Sequence, residues 1–193
     1  MKSTTIILLA AGSSSRMGQS KQLLKINDQE LLLKAANVAV ESQMNTIVVL
    51  GANEKNHRKL IDHLAIDIID NANWGKGMGN SLKAGLRRAL KVDAELESII
   101  VMVCDQPLLT VDHLKNIKKA FEEKSDAIIA SFYSGTPGVP ALFHRSLFSE
   151  IEALPDGHGA KKIIERHAES TTSIHFPEGA IDLDTPEDLN NFR

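Results

Sequence analysis

One cysteine, Cys104, occurs in 193 residues, so no internal disulfide forms and a cysteine-type zinc site is excluded. The seven histidines include no His-Glu-x-x-His pair. Aromatic residues are 4% of the chain and give no obvious interface patch. No apolar run reaches transmembrane length and no charged-then-apolar leader opens the sequence, so a cytoplasmic location without membrane contact is expected. An excess of positive charge is also missing: the formal net charge is -3. General nucleic-acid binding needs a basic face, so no nucleic-acid partner is expected and any affinity for phosphate must be local. There is no internal repeat, low-complexity tract or linker. The length suits one domain, residues 1–193, with a core large enough to be stable alone.

What is present is concentrated at the start. Ile6-Ile7-Leu8-Leu9-Ala10-Ala11 lacks polar alternation and reads as a fully buried strand. It runs into Gly12-Ser13-Ser14-Ser15-Arg16-Met17-Gly18-Gln19-Ser20-Lys21. Gly12, Ser13, Ser14 and Ser15 have little side-chain bulk, so backbone N–H groups can close around an anion. Arg16 adds a planar fork of donors and Lys21 a point charge, a pair suited to a polyphosphate. A nucleoside triphosphate site at the carboxyl end of the first strand is therefore expected. The alternative is an ordinary strand-to-helix turn that binds nothing. A P-loop is excluded, because five residues separate Gly12 from Gly18 and Gln19 follows. The dinucleotide fingerprint Gly-x-Gly-x-x-Gly is absent as well.

Apolar runs then alternate with helical patterns. Strands are expected at Thr5–Ala10, Thr46–Leu50, Ile66–Asp70, Ser98–Cys104 and Asp126–Phe132. Helices are expected at Glu30–Ser42, Glu54–Leu64, Ser81–Leu90 and Val111–Glu123. The alternation implies an α/β fold, a mostly parallel sheet with helices on both faces. Ligands of such sheets bind beyond the carboxyl ends of strands, so loops 11–21, 71–80 and 105–107 should converge on one crevice. Ser134 to Pro140 reads as a turn-rich loop between two short extended segments.

Asp105 directly follows a buried strand, on the same side as loop 11–21. A carboxylate there suits Mg²⁺, which takes oxygen ligands and substrate phosphates with few protein groups. The same Asp also suits a loop or helix cap. Asp182 and Asp184 occupy alternate positions before Thr185-Pro186-Glu187, which reads as a helix start. Asn71 and the loop Gly75 to Ser81 read as the nucleoside side of the site: Gly75, Gly77 and Gly79 allow close backbone approach, and Ser81 suits a helix cap. A flexible loop is the alternative. Trp74 suits core or surface packing better than a place over a ligand. Cys104 reads as a small buried hydrophobe.

Leu9-Ala10-Ala11-Gly12-x-Ser14-Ser15-Arg16-Met17-Gly18-x-x-Lys21 resembles the signature of the molybdenum cofactor nucleotidyltransferases, and most nearly their cytidylyltransferase branch. Similar matches run from residue 6 to about Leu189. The resemblance implies a three-layer α/β/α fold of the Rossmann-like nucleotide-diphospho-sugar transferase type, with an antiparallel strand added to a mostly parallel sheet. It implies that the part up to about residue 133 binds the nucleotide and that 134–193 holds the acceptor. It assigns Asp105 as metal ligand, joined by one of Asp182 and Asp184, with Asp184 preferred. Gly135 to Phe143 resembles the family's Gly-x-Pro-x-x-Pro-x-x-Phe segment, which brings Gly138 and Pro140 to the acceptor. Asp156-Gly157-His158-Gly159-Ala160-Lys161 resembles its Gly-Asp-x-Gly-Ala-Arg/Lys loop, with Asp and Gly exchanged in order. Lys161 then reaches the acceptor phosphate or is a solvated helix-start lysine; the exchange puts Asp156 in doubt as a pterin ligand, and His158 reads as a surface-loop histidine.

The implied activity is a cytoplasmic, Mg²⁺-dependent nucleotidyltransferase that moves CMP from CTP to the molybdenum-loaded molybdopterin cofactor and releases pyrophosphate. A molybdoenzyme or its chaperone is a further implied partner. Guanylate-transferring relatives resemble Leu-Ala-Gly-Gly where this chain has Leu9-Ala10-Ala11-Gly12. A Cβ at Ala11 narrows the space near the base and favours a pyrimidine, a discrimination of about 10–200-fold for one methylene-sized difference. Transfer to a sugar or alcohol phosphate is a second reading. A non-catalytic cofactor-binding chaperone is a third, but it has no need of Asp105 and Lys21 together.

Overall fold

The computed structural model describes residues 2–14, 20–124 and 126–181. The elements are β1 (Thr4–Ala10), β2 (Lys25–Ile26), β3 (Gln29–Glu30), α1 (Leu31–Glu41), β4 (Asn45–Leu50), α2 (Glu54–Ile61), β5 (Asp67–Asp70), α3 (Met78–Val92), β6 (Ser98–Val103), α4 (Val111–Lys124), β7 (Ile128–Tyr133), β8 (Thr136–His144), α5 (Phe148–Glu152), α6 (Lys161–Arg166) and β9 (Thr171–His175). Seven strands form one sheet in the order β5-β4-β1-β6-β8-β7-β9. β1 pairs in parallel with both β4 and β6, and β8 runs antiparallel to both β6 and β7. β2 and β3 form a separate small hairpin.

The unbroken apolar run of β1 follows from its central place, because both of its faces are covered. Every residue from Thr4 to Ala10 is buried. Ile7 and Leu9 join the core under α3, α5 and α6, with Leu82, Leu86, Ile151 and Ile163. Ile6, Leu8 and Ala10 join the core under α1, α2 and α4, with Leu32, Ile61, Ile117 and Phe121. Strand side chains alternate between faces, so this split gives the three-layer α/β/α arrangement directly. No helix among the described residues is long and apolar enough to cross a membrane.

One segment departs from the expected pattern. Ser134 to Pro140 is not a loop between short extended pieces; from Thr136 onward it belongs to the nine-residue strand β8. The turn is only Ser134-Gly135, both with positive φ (49° and 75°), as a two-residue hairpin loop requires. Pro137 and Pro140 mislead because proline removes a ladder donor and argues against an inner strand. Here β8 pairs with β6 only over Ala141–His144; Pro137 is opposite Phe132 of β7 alone, and Pro140 falls in the irregularity where the β7–β8 register shifts between Ala130 and Ser131.

Helix α3 lies on β1 and β4 at a glycine. A Cβ on Gly85 would stand 2.6 Å from Ile7 Cγ2 and 3.1 Å from Val49 Cγ2. Gly85→Val is therefore expected to lower the unfolding free energy by about 1–3 kcal/mol through overpacking, as checked by equilibrium urea unfolding. A neutral outcome would mean that α3 does not bear on the sheet at this point.

Candidate active site

Parallel register brings the two chemically charged loops together. Leu9 pairs with Val103, so two residues further on Ala11 and Asp105 leave the sheet side by side. From there Lys21 returns: its Nζ donates to Asp105 Oδ2 at 2.8 Å, with the two side chains 12% and 20% exposed. On the other flank, Ala52 N–H donates to the Ala11 carbonyl at 3.0 Å. Gly51 makes that approach possible, since a Cβ there would lie 2.5 Å from Trp74 Cβ and 2.7 Å from the Ala11 carbonyl oxygen. The ends of β1, β4 and β6 thus meet at one edge.

These elements surround a cavity of about 490 Å³. Ala10, Ala11, Gly12, Ser13, Ser14, Lys21, Gly77, Ser81 and Asp105 all line it, together with Trp74, Met78 and Cys104. Cys104 is also buried in the apolar core, in line with its reading as a small hydrophobe. Gly12 and Ser13 are exposed to the cavity mouth, and Ser14 has a left-handed φ of 54°. Arg16, Asp182 and Asp184 lie outside the described residues.

Asp105 carries the clearest indication of a cation. Its second carboxylate oxygen, Oδ1, is buried and has no hydrogen-bond partner among the described residues. A buried carboxylate oxygen left unmatched is costly, and a divalent ion would satisfy it. No group of three or more His, Cys, Asp and Glu gathers for a metal among the described residues. The site therefore offers one described carboxylate, which fits an ion of the Mg²⁺ kind that keeps waters and substrate phosphates as its other ligands.

Other expected residues sit differently. Asn71 does not line the cavity. It is buried, with Nδ2 donating to Ser81 Oγ (3.0 Å) and Asn80 Oδ1 (3.1 Å), while Oδ1 accepts from Asn73 N–H (3.0 Å). Ser81 does not cap the helix. α3 starts three residues earlier, and the N–H groups of Gly79 and Asn80 donate to the Asp156 carbonyl at 2.9 and 3.4 Å. Gly77 has φ +122°, and a Cβ on it would lie 2.5 Å from that same carbonyl; a Cβ on Gly79 would strike the His158 carbonyl. Part of the need for glycine here is thus contact with loop 155–158 rather than with a ligand. Lys83 Nζ reinforces the contact, donating to Asp156 Oδ1 (2.5 Å) and the Leu154 carbonyl (2.9 Å). Hydrogen bonding from Lys83, then from Asn80, holds the Asp156 carboxyl below the ordinary carboxylate range.

Gly138, Pro140 and Lys161 do not line the cavity. Gly138 and Pro140 are buried in β8, where a Cβ on Gly138 would meet the Tyr133 hydroxyl at 2.5 Å. Lys161 is exposed at the start of α6, and His158 is exposed as expected of a loop residue.

Three site-shaping residues escaped the sequence reading: Gln22, Gln106 and Lys83. Gln22 and Gln106 each follow a charged residue of the site and are buried. Gln106 Nε2 donates to the Val139 and Gly179 carbonyls at 3.1 and 3.3 Å, tying the Asp105 turn to β8 and to the segment after β9. The only sequence signal was a polar residue at each junction, and glutamine in loops is too common for that to single them out.

Residues 6–171 match the MobA-like NTP transferase domain family, and the chain belongs to that family. It is 27% identical to the purine catabolism protein PucB of Bacillus subtilis, over 97% of this chain and 94% of that protein. It is 27% identical to the molybdenum cofactor cytidylyltransferase of Escherichia coli K12 (98% and 95% covered) and 28% identical to the molybdenum cofactor guanylyltransferase of Vibrio atlanticus (98% and 95% covered). Among solved structures it resembles Rv0371c of Mycobacterium tuberculosis H37Rv, at 25% identity with a TM-score of 0.83, covering 99% and 97% of the two chains. A further structure of that protein is a complex with manganese, at 24% identity and a TM-score of 0.78.

Two buried histidines make stability depend on pH. His57, on α2, bonds Ser20 Oγ through Nε2 at 2.6 Å, and its Nδ1 is buried with no partner among the described residues. His113, on α4, bonds Ser131 Oγ at 2.7 Å and stacks on Phe176. Burial lowers the pKa of each below the ordinary 6.5, opposed only in part by Glu54 and by Glu178. Below pH 6.5 the unfolded chain takes up protons that the folded one refuses. Unfolding free energy is therefore expected to fall as pH drops through that window, by up to about 1.4 kcal/mol per pH unit per histidine, and these two add no slope above it. Urea titrations from about pH 8 to about pH 5 check the slope, and His113→Phe should reduce it.

Proposed function

We propose that this family member transfers CMP from CTP to the phosphate of the molybdenum-loaded molybdopterin cofactor. The observation that carries the reading is the Lys21–Asp105 pair at the mouth of the cavity, with Asp105 Oδ1 buried and unmatched among the described residues. The cytidylyltransferase relative supports the donor and the acceptor, and the Cβ of Ala11 on the cavity wall supports a pyrimidine.

An oxygen of the acceptor phosphate attacks the α-phosphorus of CTP, a new P–O bond forms, and the bond to the β-phosphate oxygen breaks to release pyrophosphate. The attacking phosphate is largely dianionic near neutral pH, with a second pKa of about 6, so no general base is required. The protein's work is then positioning and neutralisation of charge. The amides and hydroxyls of Gly12, Ser13 and Ser14, with Arg16, hold the β- and γ-phosphates. Lys21 exchanges Asp105 for the α-phosphate. Gly77 and Ser81 border the nucleoside, and Asn71 fixes Ser81 from behind. Asp105, with Asp184 or Asp182, would hold Mg²⁺, which would neutralise triphosphate charge when bound. Residues up to about 133 serve the donor and 134–193 the acceptor, with Gly138 and Pro140 shaping its side and Lys161 reaching its phosphate. A CTP-dependent reaction fits the cytoplasmic location expected from the sequence.

Pyrophosphate release with Mg²⁺ tests the reading, offering CTP, GTP, ATP and UTP in turn with and without the loaded pterin. Release is expected with CTP plus pterin alone. Release with GTP would reverse the donor, release with a sugar phosphate would replace the acceptor, and pterin binding without any release would leave a chaperone. Asp105→Asn is expected to lower turnover by about 100–1,000-fold while sparing pterin binding, and an unchanged rate would remove Asp105 from the chemistry.

A further inference from the structure

Lys83 lies in the second turn of α3 with its side chain only 12% exposed. A lysine is buried to that extent only where its charge is answered. Its Nζ donates to the Leu154 carbonyl at 2.9 Å and to Asp156 Oδ1 at 2.5 Å. The Asp156 carboxylate also accepts from the side chain of Asn80, whose Oδ1 in turn accepts from Asn71 Nδ2. Polar contacts therefore run without a break from the end of β5, across the start of α3, to the segment 154–156. Gly77, Met78 and Ser81, at that same helix start, line the cavity.

The first turn of α3 has little of its own to hold it. Gly79 costs about 1 kcal/mol relative to alanine inside a helix. Met78 is 52% exposed, and Leu82 is the first α3 side chain in the apolar core. Gly77 and Gly79 are required by the close approach of loop 155–158. The loop that demands glycine must then supply the order that glycine removes. It does so through the Asp156 carbonyl, which accepts from the N–H groups of Gly79 and Asn80, while Lys83 fixes Asp156 from the next turn.

We propose that Lys83 and Asp156 are positioning residues: their ion pair holds the first turn of α3 on loop 154–158 and thereby sets the affinity of the cavity wall at Gly77, Met78 and Ser81 for the donor's nucleoside. The affinity half rests on the donor reading given above. A wall already ordered loses less conformational freedom when ligand binds. Neither residue lines the cavity, so the pair acts through the turn and not by touching the nucleotide.

The test compares Lys83→Met, Asp156→Ala and the double variant with wild type. Hydrogen exchange without nucleotide is followed in peptides covering 77–84 and, for reference, β1 and β6. Affinity is read from quenching of Trp74, the single tryptophan and a wall of the same cavity, by CTP with Mg²⁺. Thermal unfolding identifies which variants are folded. Each single variant is expected to quicken exchange in 77–84 and to raise the Kd for CTP, by about tenfold in each case, with β1 and β6 exchange unchanged. The double variant should be no weaker than the weaker single one, because both changes break the same pair. In turnover, Lys83→Met should raise KM for CTP and leave kcat within about threefold, since Lys21 and Asp105 are untouched. Wild-type exchange and wild-type Kd in a folded variant would overturn the proposal. A double variant in which the two losses of affinity multiply would also overturn it, as would a fall in kcat at unchanged KM. Exchange that quickens equally in β1 and β6 marks general destabilisation and counts against it too. Should no nucleotide quench Trp74 in the wild type, the donor reading falls and takes the affinity half with it, while exchange in 77–84 still decides whether the pair orders the turn.

Discussion

The ion pair between Lys21 and Asp105 is the contact on which the rest of the site depends. It joins the return of the loop after β1 to the turn after β6, and parallel pairing of those strands delivers both to one edge. A lysine and an aspartate that are both largely buried are tolerable because each answers the other; removal of one partner from a buried pair typically costs about 3–5 kcal/mol. The same pair is suited to exchange. A phosphate competes well for Lys21, and the carboxylate it leaves is free to accept a divalent ion. On the proposed function, charge held in place without substrate is redistributed with it, the form of preorganisation that phosphoryl chemistry needs.

Around that contact, two kinds of fastening hold the loops. Side-chain amides do the work near the charges: Gln22 joins the Ala10 and Gly12 carbonyls to the Ser14 and Ser20 hydroxyls, and Gln106 binds the Asp105 turn to β8 and the segment after β9. Close backbone contact does it on the far wall, where glycines at 77 and 79 let loop 155–158 cap α3 and Lys83 pins Asp156. This second fastening links the stretch read as donor-binding to the stretch read as acceptor-binding. A first turn of α3 capped by protein carbonyl is not available as an open anion site.

The layered fold was readable because it rests on local apolar patterning. β1 and β6 are buried on both faces, and the chain announces this with unbroken apolar runs. The meeting of Lys21 with Asp105 at the cavity was expected because both loops leave the carboxyl ends of adjacent parallel strands. β8 was not, since Pro137 is permitted by where β6 stops pairing and Pro140 by the register shift opposite β7, both facts of tertiary register. The start of α3 was misjudged for a similar reason: its cap comes from a loop more than seventy residues later. Gln22 and Gln106 were invisible because a buried amide is defined by its partners, and those partners are backbone carbonyls that every residue possesses. Gly138 and Pro140 match a motif, yet both are buried in the strand and neither lines the cavity.

The most direct test of the donor site is a crystal structure with a non-hydrolysable CTP analogue and Mn²⁺. The triphosphate is expected to lie along Gly12–Ser14, with Lys21 moved from Asp105 to a phosphate oxygen and an anomalous manganese peak at coordination distance, about 2.0–2.2 Å, from Asp105. A nucleotide seated elsewhere, or one bound here with Lys21 still paired to Asp105 and no metal at that carboxylate, would contradict the proposed donor site.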